Sequence, residues 1–502
     1  MTETRRCRVV IAGGGTAGWI VAAALARHLG PLLDITLVES DAIGTIGVGE
    51  ATIPTIRTFH QMLGIDERDF LRATKASFKL GIAFEEWGRV GDRYIHSFGD
   101  VGRSTWMGGF QHLWLHARAE GVGGDLGEYS LETQACEAGR FARTSGSRIN
   151  YAYHLDAGLY AAFLRQLSER AGVTRYEGRI AQVEQDADTG DIAALRLADG
   201  RRLSGDLFID CTGLRALLIE DILKAGFEDW GQWLPTDSAL AVQTAAVEPA
   251  RPYTRAIAHD AGWQWRIPLQ HRVGNGIVYA GAHMDDTAAR ALLLDSVRGD
   301  LLSEPRLIRY RTGRRRAVWV RNCVALGLSS GFVEPLESTS IHLIMIGVTR
   351  LIQNFPFAGT SPELAARYNR LAQTELEAVR DFIILHYHLN ARSNAPFWTR
   401  CRAMTVPDSL ATRLALFAAT AQIPQSADDL FRPDSWLQVM LGQGMRPASY
   451  HPMGRLLGTE PLREALRDLN GNIIRTVAAM PPHQAFLDQA LFDDADGRRQ
   501  RA

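Results

Sequence analysis

The part of this chain that most restricts its fold lies at its start, where an apolar run meets three spaced glycines and then a helix. Cys7-Arg8-Val9-Val10-Ile11-Ala12 reads as a short buried strand, Gly13-x-Gly15-x-x-Gly18 follows at once, and Trp19 to Ala26 continue in helical register. Asp34-Ile35-Thr36-Leu37-Val38-Glu39 then reads as a second buried strand. Two buried strands joined by a helix form a βαβ unit, which calls for a parallel sheet with its ligand at the carboxyl ends of the strands. The glycines let the backbone turn tightly and approach a pyrophosphate, whose charge is met by the helix N-terminus. Gly13, Gly15, Thr16, Ala17 and Gly18 are therefore the expected cofactor contacts. Glu39 follows about twenty residues on, where a carboxylate accepts the ribose hydroxyls and disfavours a 2′-phosphate. The motif specifies a dinucleotide and leaves FAD and NAD open.

At 502 residues the chain has room for a large core, and a net charge of −1 argues against nucleic acid or an anionic membrane as a partner. No run of about 18 apolar residues occurs, so no membrane-spanning helix is expected. The first residues lead straight into a strand without the apolar region of a secretion signal. The five cysteines, Cys7, Cys136, Cys211, Cys323 and Cys401, form no CxxC pair. Free thiols in a reducing cytoplasm are expected, with neither a disulfide framework nor a metal site.

Further along, residues 80–110 mix short strands with aromatics, and Tyr151 to Ala171 read as a helix. Residues 173–210 read as strands and hairpins with a turn at Asp188-Thr189-Gly190-Asp191. Residues 235–320 alternate like an antiparallel sheet, and helical periodicity dominates from about 340, broken by prolines near 355, 396, 407 and 481–482. The polar end from Asp493 is expected to fray. The expected fold class is α/β. A dinucleotide-binding core spans 1–350, its nucleotide part drawn from 1–80, 170–220 and 300–350. A sheet-containing substrate layer (about 80–170 and 220–300) is interleaved with it, and 351–502 form a mostly helical region on the substrate side.

Gly205-Asp206 to Thr212-Gly213 resembles the second flavin contact of two-dinucleotide-fold flavoproteins, which tips the cofactor towards FAD and adds Gly213 to its contacts. Four further blocks follow: Gly47-Val48-Gly49-Glu50-Ala51-Thr52-Ile53-Pro54, Phe78-Lys79-Leu80-Gly81, Gly262-Trp263-Gln264-Trp265-Arg266-Ile267-Pro268, and Gly331-Phe332-Val333-Glu334-Pro335-Leu336-Glu337-Ser338-Thr339. With the opening Gly13-Gly14-Gly15-Thr16-Ala17-Gly18-Trp19, these resemble the two-component flavin-dependent halogenases, the family of the tryptophan halogenases. The resemblance covers residues 11 to about 340, and a weaker likeness continues through Phe397-Trp398 and Ser435-Trp436 to about residue 450.

The resemblance implies an aromatic-hydroxylase-like FAD fold. It implies reduced FAD supplied by a separate NADH-dependent flavin reductase, and a chloride or bromide ion turned into hypohalous acid that reaches Lys79 through a closed tunnel. Lys79 matches the family's essential lysine, acting as a haloamine or as a hydrogen-bond donor; both roles stay open. Glu337 matches the glutamate that stabilises the cationic ring and takes its proton, and Ser338 the serine beside it. The backbone at Thr339 and Ser340 matches the halide site, although tryptophan members commonly carry glycine where Ser340 stands. Ala51 and Ile341 join the FAD contacts, and Trp263 and Trp265 match tryptophans that shield the flavin and discourage plain monooxygenation. His96-Ser97-Phe98 matches the ring pair that sandwiches an indole.

Residue type alone offers plainer readings. A lysine such as Lys79 is ordinarily a solvated charge, Glu337 could serve the dipole of a following helix, and alternating Trp263 and Trp265 could be core. The substrate end departs from the tryptophan members: Ala418 to Trp436 has no tyrosine pair to grip an amino acid, and Phe431 is the only aromatic near the covering position. Indole or another electron-rich aromatic is thus the expected substrate. The alternatives are an aromatic monooxygenase and a non-catalytic flavin-binding protein. Against the first, Asp210-Cys211-Thr212-Gly213 and Gly327-Leu328 stand where hydroxylases carry DG and GD motifs.

Overall fold

Val9, Ile11 and Leu37 are wholly buried, and burial on both faces is what favours a parallel central strand over an amphipathic antiparallel one. In the computed structural model of the chain, residues 5–43, 49–143, 149–393, 395–426 and 429–492 are described. Gly47, Val48, the 427–428 part of the Ala418–Trp436 stretch and the tail from Asp493 lie outside these residues. The strand Cys7–Ala12 pairs in parallel with Leu33–Glu39 on one side and Leu207–Asp210 on the other. The full sheet has six strands, running Trp319–Val320, Cys323–Ala325, Leu207–Asp210, Cys7–Ala12, Leu33–Glu39, Thr174–Glu177. Only the outer pair at Trp319 is antiparallel. The helix Thr16–Leu29 covers one face, with Trp19 to Leu25 buried along its length.

The chain divides into two compact units. The first comprises Met1–Lys75, Leu155–Gly231 and Arg309–Glu377; the second comprises Ala76–His154, Gln232–Ile308 and Ala378–Ala502. The first holds the parallel sheet and the antiparallel meander Ile180–Gln185, Ile192–Leu197, Arg202–Ser204, whose turn falls at 186–190. The second is built on a seven-stranded mixed sheet, ordered Arg306–Arg309, Ser238–Ala245, Arg272–Tyr279, Gly262–Pro268, Tyr253–His259, Gly81–Glu85, Arg93–Ser97.

Two local readings need correction. Tyr151 to Ala171 is not one helix: Ala152–Asp156 is a strand and the helix is Ala157–Arg170. The Asp156 carboxylate accepts the Leu159 N–H and caps that helix, so the acid that looks like a helical residue marks the start of the helix. Residues 235–320 are not wholly antiparallel, since Tyr253–His259 lies parallel to Gly81–Glu85 and Asp286–Ser296 is a helix capped by Asp285.

Candidate functional site

The first unit's features are made largely by the backbone. Gly13 has φ +108°, and a Cβ there would stand 2.2 Å from the Cys211 carbonyl oxygen. A Cβ at Gly18 would stand 1.9 Å from the Gly13 carbonyl oxygen. These glycines let the turn between strand and helix press against Cys211–Thr212, a contact that no side chain would permit. Gly15 faces open space, and Gly213 likewise. The helix opening at Thr16 has no side-chain cap and no acid in its first turn, so its N–H groups and dipole are left for an anion. Glu39 ends the second strand, pairs with Arg175, and accepts the Trp19 indole N–H at 3.3 Å. These groups fit an FAD: a diphosphate at Gly13–Gly18, a ribose at Glu39 and a second contact at Gly213.

Buried Asp210 explains the turn at Cys211-Thr212-Gly213. Its carboxylate accepts the Thr212 N–H and hydroxyl at 2.9 and 2.7 Å, and the Leu218 and Ile219 N–H groups at 2.8 Å each. Desolvation still raises its pKa, although these hydrogen bonds oppose the shift.

The block at 331–341 is positioned by a break in its backbone. Pro335–Glu337 forms one tight turn, Ser338 takes φ +59°, and the helix Ser340–Gln353 begins after Thr339. A left-handed serine costs about 1–3 kcal/mol, a strain that clusters at functional sites. Glu337 and Ser338 are buried, and the Thr339 hydroxyl is buried without a hydrogen-bond partner among the described residues. An orphaned hydroxyl beside an uncapped, acid-free helix start fits a halide ion. Ile341 is buried one residue further on, and this helix packs against the helix Thr16–Leu29. Ala51 is buried in the strand Gly49–Ala51.

Sequence reading missed what steadies that helix. His342 Nδ1 lies 3.0 Å from the Thr55 hydroxyl and its Nε2 lies 3.2 Å from Glu375, which Arg350 also holds at 2.6 Å. Burial pushes the Glu375 carboxyl up, but His342 and Arg350 outweigh it and keep it below its ordinary range. These residues come from three distant segments, and only the register of His342 and Arg350 on one helix could have hinted at a shared partner.

The second unit's features are made by side chains. Lys79 ends the strand Ser77–Lys79, is fully buried (0% exposed), and sets its Nζ 5.1 Å from the Phe98 ring centre. A surface lysine is thereby excluded. Phe98 is fixed by its N–H donating to the Leu80 carbonyl at 2.8 Å. His96 and Phe431 are buried with ring centres 6.4 Å apart. Phe382, which sequence reading did not single out, stacks on Phe431 at 3.8 Å and meets Trp436 edge-on at 4.9 Å. Phe382 lies on the helix Pro362–His388, whose apolar face looks like ordinary core in sequence. Trp263 and Trp265 are buried with ring centres 6.1 Å apart. Trp263 also lies 6.3 Å from Trp87, which meets Trp398 edge-on at 5.3 Å, so Trp263 is a member of a tryptophan cluster. Among the described residues no group of His, Cys, Asp and Glu could hold a metal ion, and no helix is long and apolar enough to cross a membrane.

Comparison with known proteins bears on both sets of features. The tryptophan halogenase family model matches residues 8–459. The tryptophan 6-halogenase SttH of Streptomyces toxytricini is 34% identical, covering 96% of this chain and 99% of that protein. The tryptophan 7-halogenase RebH of Lentzea aerocolonigenes is also 34% identical, over 96% and 98%. Among solved structures, the flavin-dependent halogenase Xcc4156 of Xanthomonas campestris is 54% identical with a TM-score of 0.95, covering 97% of this chain and 99% of that one. BrvH, a flavin-dependent halogenase of Brevundimonas sp. BAL3, is 44% identical with a TM-score of 0.93, over 97% and 100%.

Proposed function

The chain belongs to the tryptophan halogenase family and is a flavin-dependent halogenase, and from that premise we propose that it places chlorine or bromine on a small electron-rich aromatic such as indole, through Lys79. The observation that carries this reading is the fully buried Lys79 amine nitrogen over the Phe98 ring. Burying a lysine head group is costly, so one held there points to chemistry rather than to solubility. When bound, FADH2 supplies the oxidising chemistry, turning O2, halide and a proton into FAD, water and hypohalous acid. The chain's own residues do the rest. The Thr339 hydroxyl and the backbone at Ser340 hold the halide. Lys79 takes the hypohalous acid, as a haloamine or through a hydrogen bond, and directs its halogen at one ring carbon. The C–H bond of the ring is replaced by a carbon–halogen bond. The ring proton passes to Glu337 and then, in the hydrogen-bonded route, to the hydroxide left from the O–halogen bond, which leaves as water. In the haloamine route that hydroxide has already left as water with the amine proton, and the ring proton returns to the Lys79 nitrogen. Ser338 orients Glu337, and Trp263 and Trp265 keep the oxidant from ordinary oxygen insertion.

The aromatic group of His96, Phe382, Phe431 and Trp436 supports a flat apolar substrate. With no tyrosine pair in 418–436, a free amino acid lacks its expected grip. A separate NADH-dependent flavin reductase supplies the FADH2. We place the enzyme in the reducing cytoplasm, where its five free cysteines persist.

The test is incubation with indole, a flavin reductase, NADH, FAD, oxygen and bromide or chloride, followed by mass spectrometry. A halogen isotope pattern that vanishes in Lys79→Ala is expected. A halide-independent gain of one oxygen would mean a monooxygenase instead, and bound flavin without either product would sink the choice of indole.

A further inference from the structure

Lys79 stands on a strand that is held from outside the family-matched region. Ser77–Lys79 lies at the edge of its sheet and pairs on one side with Ala152–Asp156, Phe78 facing Tyr153 and Lys79 facing Ala152. An edge strand leaves alternate N–H groups without a sheet partner, and a buried one must find another acceptor. Phe78 is fully buried, and its N–H donates to Nε2 of His483 at 3.2 Å. On the other side of the imidazole, Nδ1 donates to the Ala250 carbonyl at 2.7 Å. The two bonds fix the tautomer, since Nε2 can accept only if the proton sits on Nδ1. Burial lowers the His483 pKa to about 4, so the ring is neutral at working pH and remains an acceptor.

The contact belongs to a larger clip. The His483 N–H donates to the Gly139 carbonyl at 2.9 Å, Pro482 bridges Arg140, and the Phe141 N–H donates to the Pro481 carbonyl at 3.3 Å. Phe141 stacks on Phe78 at 4.3 Å, and Phe486, one turn beyond His483, meets both rings edge-on. On its other flank the strand is tied by Ser77, which donates to the Pro268 carbonyl at 2.7 Å, with His154 Nδ1 3.3 Å from its hydroxyl and His154 Nε2 2.9 Å from Thr254. The family model ends at residue 459, so the clip at 480–486 lies beyond the residues that model matches.

We propose that His483 is a positioning residue for halogen transfer: through the Phe78 N–H it sets the strand that aims the Lys79 amine. This rests on the reading of Lys79 given above. The two bonds of the imidazole can be separated by substitution. In His483→Asn the amide reaches the Nδ1 position and keeps the donor to Ala250 but orphans the Phe78 N–H. In His483→Gln the longer side chain restores an acceptor near the Nε2 position.

The experiment compares wild type, His483→Asn, His483→Gln and Lys79→Ala, each with FAD, a flavin reductase, NADH, oxygen, bromide and indole. FAD affinity and thermal midpoint are measured alongside. The Asn variant is expected to keep its FAD affinity and its KM for bromide and indole while kcat for bromoindole falls about ten- to a hundredfold, the scale of a small misplacement of a reacting group. The Gln variant should recover to within about threefold of wild type, by the same argument. Hydrogen exchange of the peptide containing Phe78 should be slow in wild type and Gln and fast in Asn. Equal turnover in Asn and Gln, with Lys79→Ala inactive, overturns the inference and leaves the Lys79 reading standing. Bromination by Lys79→Ala overturns both. Should the Asn variant fail to fold, a folded Gln variant with fast Phe78 exchange or turnover below about a tenth of wild type overturns the inference; slow exchange with near-native turnover sustains it.

Discussion

The two units put chemistry into their features by different means. In the first, glycines, helix starts and one left-handed serine present N–H groups and open faces, and apart from Glu337 and Glu39 side chains chiefly steady that backbone: Asp210 under its turn, His342 and Glu375 behind the helix at Ser340. In the second, the backbone supplies ordinary strands and helices, and the distinctive features are rings and one buried lysine. Features made by backbone depend on local conformation and so appear as short motifs. Features made by side chains depend on which distant segments pack together, and leave little trace in spacing.

The sharpest test of that contrast is Lys79→Ala. If the chemistry of the second unit resides in one side chain, bromoindole formation falls by about a thousandfold or more while FAD binds normally, measured by product mass and flavin titration. Next in size, Glu337→Gln should lower kcat by about a hundredfold with KM unchanged, because it removes charge needed only as the ring becomes cationic.

A third test uses pH. Glu132, which accepts the Asn150 N–H at 2.7 Å, is buried and its pKa is pushed up to about 7 by desolvation, against the opposing hydrogen bond. The unfolded chain releases this proton near the ordinary value and the folded chain near 7, so Glu132 costs stability as pH rises through that window. Glu132→Gln should therefore gain about 3 kcal/mol at pH 8 and lose the advantage as pH falls towards 5, read as thermal midpoints. An advantage that grows on acidification would reverse the sign and refute the account.

The smaller effects probe the glycine turn of the first unit. Gly13→Ala, with a strained φ and a Cβ against Cys211, should weaken FAD binding about tenfold. Thr16→Ala, which leaves the backbone N–H groups in place, should change it by less than about threefold. If Thr16→Ala matched Gly13→Ala, the claim that backbone dominates there would fail.

The same division explains what could be read early. The strand, glycine turn, helix and Glu39 were legible because each needs only its neighbours, and the α/β class followed from them; the match at residues 8–459 and the likeness to halogenase structures agree with both. Tyr151 to Asp156 was misread because its apolar residues suit either period, and pairing with the lysine strand decided the matter. Phe382 and the His342–Glu375 pair were invisible, being partners only in space. His483 was invisible for the same reason, sitting more than four hundred residues from the N–H it satisfies.

By itself the sequence determined a βαβ nucleotide unit and its acid, because local stereochemistry of glycine and strand allows few alternatives, while Lys79 and Glu337 stood out only through the resemblance of their blocks to a known family. Only the tertiary structure decided that Lys79 is buried over a ring, that Thr339 keeps an orphaned hydroxyl at a helix start, and that His483 closes the lysine strand's edge. Burial and hydrogen-bond satisfaction are properties of the packed chain, and no spacing of letters contains them.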